Sequence, residues 1–365
     1  MIISSWGVFL KKARQMYPYR MLPRLFAIGI CITGLLLYPS YTASGIKNGL
    51  LLLGENIIPS LFPFMVLSTY ISQSPITDFI SKMIDKPSRK IWNVNGNGMI
   101  AVILGLLGGY PIGAKTVAEF YNDGKVSQQE ASKLMNWCVN PSPAFAITAL
   151  GTFMLGNTFS GVILYVSSLL STLYISIFTR FFNSIEIPKA SPNNQTENRG
   201  NLLIKSVSVG GEAILSICGW VLTFSAVASL LDAVINIKGL RLFLQSISEV
   251  TNGCDICTRA SLPLPAISAV IGFGGLAVIA QVSPYLNKCG VSIKQFICWR
   301  IVNGALSAFF CSGLLKLFPQ SVSVFSNSVS NSPVPSLSNG ASVAVVLLLM
   351  CLVFIFEVDN KRKIC

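Results

Sequence analysis

Long apolar stretches alternate along this chain with short basic connections, and glycine, proline or a lone polar residue interrupts several of the stretches. Apolar runs fall at residues 25–38, 49–72, 98–120, 137–156, 159–182 and 206–234, a Gly-rich run follows at 272–282, and a last one occupies the region 341–365. A helix needs about 20 residues to cross a hydrocarbon core of ~30 Å, and most of these runs approach that length. A closed β-barrel would show alternating segments of ~10 residues instead, and none is visible. The pattern predicts an all-α, polytopic, multi-pass membrane protein.

The interruptions are the informative part. The run 49–72 carries Glu55, Asn56, Pro59 and Pro63, and each proline removes a backbone donor and bends the helix. The run 98–120 breaks at Gly108-Gly109-Tyr110-Pro111 and closes on Lys115 and Glu119, which predicts a re-entrant hairpin of two half-helices over a bent single span. A short polar helix is expected at 126–134, and Asn140-Pro141-Ser142-Pro143 interrupts the next run. Residues 183–201, with Pro188, Pro192 and a run of Asn, Gln and Glu, have the composition of an exposed linker.

Composition agrees with the membrane reading: 52% of residues are hydrophobic and 11% charged, where soluble domains carry roughly 25% charged residues. The net charge of +13 does not point to nucleic acid, because the basic residues sit in the short connections, where they act as topology signals and contacts to anionic lipid. Lys11, Lys12, Arg14, Arg20 and Arg24 precede the run 25–38, which is expected to be an uncleaved first span rather than a signal peptide. Ten cysteines are present with no histidine. Most lie in apolar runs, and Cys254-Asp-Ile-Cys257, the only CxxC, is a weak metal or redox signal on its own. No nucleophile–base constellation, metal cluster or P-loop is visible, so the chain is not expected to be an enzyme or to carry a cofactor.

The two halves share an order of features. Gly54-Glu55 and Gly211-Glu212 each precede a Gly-rich break, at 105–115 and 272–282, and an asparagine, Asn140 or Asn303, follows each break by about 30 residues. The division expected is a basic N-terminus and first span (1–45), a first repeat (46–182), a polar linker (183–205), a second repeat (206–318), a Ser-rich loop (319–340) and a last span with a basic tail (341–365). Secondary transporters build a midplane site from inverted repeats and discontinuous helices. A re-entrant second Gly-rich segment leaves the basic tail outside, whereas a spanning one brings it inside, and the sequence leaves both open.

PSLFPF at 59–64, GLLGGYPIGAK at 105–115, NPSPAF at 140–145, GFGGLAVIAQV at 272–282 and the WRIVNG run at 299–304 together resemble the sporulation integral membrane proteins of the YlbJ type, which carry nucleoside-transporter-like gate repeats. The resemblance covers roughly residues 20–318. It implies a fold similar to the concentrative nucleoside transporters, with two inverted repeats and re-entrant helical hairpins. It also implies a place in the mother-cell membrane around the forespore, and movement of dipicolinic acid toward the developing spore. Ala277 and Ile279 stand where a Ser and a polar residue are expected, which puts fine substrate contacts there in doubt.

A flat pyridine dicarboxylate asks for positive charge, hydrogen-bond donors and an apolar slot. Half-helix N-termini supply donors and roughly half a positive charge each. Gly108, Gly109, Gly274 and Gly275 would let backbone amides approach the ligand, with Tyr110 beside them. Asn140, Ser142, Gln281 and Asn303 would orient it, and Lys115 and Arg300 are the cations nearest the motif cores. Glu55 and Glu212 are expected to be buried, as carriers of a coupling proton, partners of a cation or acceptors for broken backbone. The coupling ion, H+ or Na+, is left open. Alternatives are transport of a nucleoside or other small metabolite, or a non-transporting scaffold for the spore envelope. The expected partners are the small-molecule substrate and the bilayer, with an oligomer open.

Overall fold

A computed structural model describes residues 29, 32–181 and 202–318, and every regular element among them is helical. Five segments of this part are long and apolar enough to cross a bilayer: Pro39–Gln73, Thr158–Arg180, Leu202–Val234, Leu264–Lys288 and Ile293–Leu317.

The first span consists of α1 (Pro39–Leu52), a π-helical turn (Leu53–Ile57) and α2 (Ile58–Gln73). The widened turn has a local cause. Pro59 has no N–H to give the carbonyl of Glu55, and its ring crowds that carbonyl, so the ladder loosens just before it. Ser60 Oγ then donates to the carbonyls of Asn56 (2.5 Å) and Ile57 (3.1 Å), which restores part of the lost bonding. Upstream, Tyr38 N–H bonds to Gly34 O and Thr42 N–H to Tyr38 O, but Tyr38 itself leaves the helical region (φ −125°, ψ 54°) and caps α1, with Pro39 at its first position. Of the run 25–38, residues 32–37 are helical and are set off from α1 by Tyr38; the rest of the expected first span lies outside the described residues save Gly29. Residues 1–28, the linker up to residue 201, the Ser-rich loop and the last apolar run lie outside the described residues.

Next comes α3 (Ile76–Trp92), an amphipathic helix that meets α4 (Gly96–Gly108) at 91°. α4 and α5 (Tyr110–Asn122) then fold back on each other at Gly109, as the Gly-rich motif predicts. Glycine at 105, 109 and 113 puts one residue at the tip and one on each arm: Gly109 takes φ +94°, and a Cβ on Gly105 would lie 2.8 Å from Gly113 Cα. The carbonyl of Cys138 lodges against both arms. Polar residues fix the base of this hairpin. Asn95 caps α4 by accepting from Gly98 N–H (2.7 Å), Glu130 accepts from Asn95 N–H (2.8 Å), and Lys133 Nζ donates to Trp92 O (2.5 Å). Glu130 and Lys133 sit on α6 (Gln128–Met135), which opens with a Ser127–Glu130 capping box where the polar helix was expected.

Residues 139–142 are unwound, and a π-helix (Ala144–Met154) completes the crossing. Asn140 and Ser142 each precede a proline, which drives both out of the helical region. α7 (Thr158–Arg180) closes the first half.

The second half opens with α8 (Leu202–Val234), antiparallel to the first span: Gly45 and Gly49 pack on Ser225, and Gly210 packs on Val66. Then α9 (Lys238–Ser248) and α10 (Val250–Arg259) fold back, with Gly253 against the Ser246 backbone and Ser246 Oγ 3.2 Å from Cys257 Sγ. α11 (Leu264–Phe273) and α12 (Gly275–Lys288) run on through Gly274 as one span. The second Gly-rich motif is thus a broken span, and the fold-back of this half lies upstream of it. α13 (Ile293–Leu317) runs antiparallel to α7, with Phe178 against Trp299 and Phe159 against Phe318.

The helix ends sort by charge. Lys82, Lys86, Arg89, Lys90, Lys125, Arg180, Lys205, Lys288 and Lys294 gather at one end of the bundle, and Lys47, Lys238, Arg241, Arg259 and Lys316 at the other. The richer end is the cytoplasmic one by the positive-inside rule. The α4–α5 hairpin enters from it, and the α9–α10 hairpin enters from the opposite side.

Candidate functional site

Four breaks meet in the middle of the bundle. The tip at Gly109 touches Ser142 in the unwound segment, where a Cβ on the glycine would lie 3.5 Å from Ser142 Cβ. Gly274 faces Arg300 Nη2 and Tyr110, at 3.0 and 3.4 Å from the same kind of added atom. Gly275 faces the tip of the other hairpin, at 3.0 Å from Val250 N and 3.1 Å from Glu249 Cα. Gly274 and Gly275 hold φ of +84° and +83°, a conformation that only glycine takes without strain. Four N-termini therefore point inward, those of α5, the π-helix, α10 and α12, and each brings partial positive charge, which at α10 is capped by Glu249.

Arg300 stands at the centre and is 1% exposed. Its Nε donates to Phe273 O (2.8 Å), Nη2 to Gly272 O and Nη1 to Val139 O, and its guanidinium lies 5.8 Å from the Tyr110 ring centroid. Two of these carbonyls are the last of α11 and the third belongs to the unwound segment, so one side chain ties together breaks from both halves. All three recorded partners are neutral carbonyls, which leaves the full positive charge and two of five N–H donors unspent on them.

Tyr110 donates its hydroxyl to Ile271 O (2.9 Å) and packs edge-on to Phe145 at 6.5 Å. Asn140 donates to Trp137 O (2.8 Å) and accepts from Thr172 Oγ1 (2.6 Å). Asn303 donates to Gly272 O (3.2 Å) and accepts from Ser171 Oγ. Adjacent hydroxyls on α7 thus hold the two asparagines, one from each half. Ser142 Oγ accepts from Phe145 N–H (3.1 Å) and starts the π-helix. The structure brings Gly109, Tyr110, Asn140, Ser142, Gly274, Gly275, Arg300 and Asn303 together around this group.

The remaining candidates fall elsewhere. Gly108 faces Ser68 of α2. Lys115 lies on the cytoplasmic arm of the hairpin, 4.0 Å from Glu119. Gln281 is half-buried on α12, seven residues from the Gly274 break, about 10 Å along the helix. Glu55 and Glu212 are exposed on the outer faces of their spans, not buried as expected. Their helices turn neighbours inward instead: Leu53 and Ile57 around Glu55, Gly210 and Ile214 around Glu212. The acid that does reach the centre is Glu249, 4% exposed at the tip of α9–α10, where it caps α10 by accepting from Thr251 N–H (3.0 Å) and Asn252 N–H (2.8 Å). Its signal in the sequence was slight: an acid just before a polar ten-residue helix, with no glycine or proline at the turn.

The described residues thus form a helical membrane bundle whose breaks converge on a buried cation. Residues 55–188 match the Gate family, described as nucleoside recognition, and that stretch runs from the π-turn through the hairpin and the unwound segment to α7. The chain is also similar to the sporulation integral membrane protein YlbJ of Bacillus subtilis (strain 168), at 26% identity over 321 residues, covering 76% of this chain and 79% of the relative. The resemblance carried by the five motifs is thereby shown. No solved structure matches.

Proposed function

We propose that this protein is a sporulation membrane transporter that moves dipicolinic acid from the mother cell toward the forespore, from a place in the membrane around the forespore. The observation that carries this reading is Arg300: a buried guanidinium held by neutral carbonyls alone, inside a ring of helix N-termini. Such a site favours an anion and costs little to occupy, because its donors are already oriented. A carboxylate takes a guanidinium fork in two parallel hydrogen bonds, and the rings of Tyr110 and Phe145 offer a flat ligand an apolar wall.

The halves are read as inverted repeats. In that reading α4–α5 corresponds to α9–α10, and the unwound segment with its π-helix corresponds to α11–α12. Gly109 then matches Glu249, and the NPSP segment matches Gly274-Gly275. Hairpins from opposite sides with tips at one centre are what alternating access requires. The coupling ion in this reading is a proton carried by Glu249, which Tyr110 and Cys254 face as titratable neighbours.

Uptake of labelled dipicolinate into liposomes holding the purified protein tests the proposal, with uridine as competitor. Saturable flux lost in Arg300→Lys, which keeps the charge and removes the fork, is the expected result. Absence of saturable flux would overturn it. Flux of uridine instead would establish the second reading, transport of a nucleoside, which the Gate match favours. Glu249→Gln is expected to abolish the pH dependence of uptake, while Glu55→Gln and Glu212→Gln retain it.

A further inference from the structure

α3 is built the opposite way from a helix that packs on a protein core. Thr77, Ser81 and Ser88 are its buried residues, while Ile76, Phe79, Met83 and Ile91 are exposed, Phe79 at 72% and Met83 at 66%. Those four follow at intervals of three, four and eight residues, so they form one outward apolar stripe. Lys82, Lys86 and Lys90 recur every fourth residue beside it, all exposed. The two acids of the helix are already engaged: Asp85 holds Arg89 (2.7 Å) and accepts from Gly96 N–H (2.8 Å), and Asp78 lies 3.9 Å from Lys125. No ion pair of the three lysines falls among the described residues. The other basic residues of the cytoplasmic end sit at helix termini or in turns, whereas these run along a whole helix. That helix lies at 91° to the α4 arm that enters the bundle, so it runs along the membrane surface.

We propose that α3 is a docking surface for the anionic phospholipids of the cytoplasmic leaflet, with its apolar stripe among the acyl chains and Lys82, Lys86 and Lys90 at the phosphates. An apolar face beside a row of cations is what an interfacial helix presents to a charged leaflet, where each lysine adds to the attraction and salt weakens it. A soluble anion would use the lysines and leave the stripe in water, so the apolar residues select a lipid. The inner face of α3 is tied to the rest of the bundle. Gly96 N–H bonds to Asp85, Trp92 Nε1 donates to Ser176 Oγ (2.9 Å), and Lys133 Nζ donates to Trp92 O, which links the helix to α4, α7 and α6. Lipid held on α3 therefore steadies the base of the α4–α5 hairpin, because it binds the folded arrangement alone. Lipid binding of this kind is independent of the cargo.

Two measurements test this surface. In the first, the full-length protein in an uncharged detergent is titrated with phosphatidylglycerol or phosphatidylcholine, and its melting temperature is followed. Phosphatidylglycerol is expected to raise it saturably, and protein carrying Lys82→Gln, Lys86→Gln and Lys90→Gln together should need about tenfold more of that lipid for half the effect. An equal rise with phosphatidylcholine, an unchanged requirement in the triple variant, or an equal change in protein carrying Lys288→Gln and Lys294→Gln overturns the proposal. So does inorganic phosphate that reproduces the rise, since the lysines would then be a site for a free anion. In the second, Met83→Cys and Lys86→Cys each carry a nitroxide in phosphatidylglycerol vesicles, and each spectrum is corrected with that of protein lacking the substitution. The label at 83 is expected to collide with oxygen more than with a water-soluble nickel chelate, and the label at 86 to show the reverse. A label at 83 that meets the chelate as often as the one at 86 puts the stripe in water, and one shielded from both reagents shows a protein surface over it, a second copy included. Either result overturns the lipid assignment.

Discussion

The two Gly-rich motifs look alike in sequence and do different things. In GLLGGYPIGAK the glycines recur every fourth residue, at 105, 109 and 113, so each arm carries one at the same distance from the tip and the arms close until their backbones touch. In GFGGLAVIAQV the glycines crowd the break at 272, 274 and 275, and Ala277, Val278 and Ile279 fill the arm beyond it. Gly272 then meets Gly304 of α13, not its own second arm. Spacing, more than glycine content, separates a hairpin from a broken span. Close approach needs a missing Cβ on both surfaces.

The largest expected effect breaks that comparison at its strongest point. In Gly113→Ala the new Cβ runs into the Cys138 carbonyl, which is backbone and cannot swing aside; a loss of about 3 kcal/mol or more is expected, read as failure to recover monodisperse protein in detergent. Gly274→Ala should be milder, at about 1–3 kcal/mol, because the cost is mainly the φ of +84° and the atom it meets is the end of the Arg300 side chain. Equal losses in both variants would show that the motifs are alike after all.

A smaller effect comes from the base of the hairpin. Burial pushes the Lys133 ammonium down to about 8, with a lesser contribution from Arg180. The folded state thus releases this proton before the unfolded state does, and stability should rise with pH through the interval between about 8 and the ordinary lysine value of about 10.4. The wild-type melting temperature is expected to climb by a few degrees across that interval relative to Lys133→Met, which carries no such group. Smallest of all is Gly211→Ala on the open face of α8, where an added Cβ meets nothing within 4 Å. It should be neutral or stabilise the helix by up to about 1 kcal/mol in a thermal melt.

What could be read from the chain divides along the same line. The hairpin at Gly109 was legible because Gly-Gly-Tyr-Pro cannot continue a helix, and the polar helix at 128–135 because Ser127 and Glu130 form a capping pair. Asn140, Arg300 and Asn303 were legible as polar residues inside apolar runs, a placement that is tolerated only with partners. The α9–α10 hairpin was not, because its tip is built from Ser248 and Glu249 with no special backbone requirement and its arms are short and amphipathic. Glu55 and Glu212 were misplaced for a different reason. Periodicity gives the spacing of a face but not its phase, and in spans that are apolar all round the inward side is chosen by neighbours far away in sequence.

The contact from Arg300 to Val139 joins residues 161 apart, whereas both hairpins close between residues fewer than 20 apart. Contacts of short separation form early, and those that close long loops wait for both sides to be in place. The central group is therefore a late product of folding. The stretch matched by the Gate family holds Tyr110, Val139 and Asn140 but not Arg300, so that segment expressed alone would have the walls of the site without its charge.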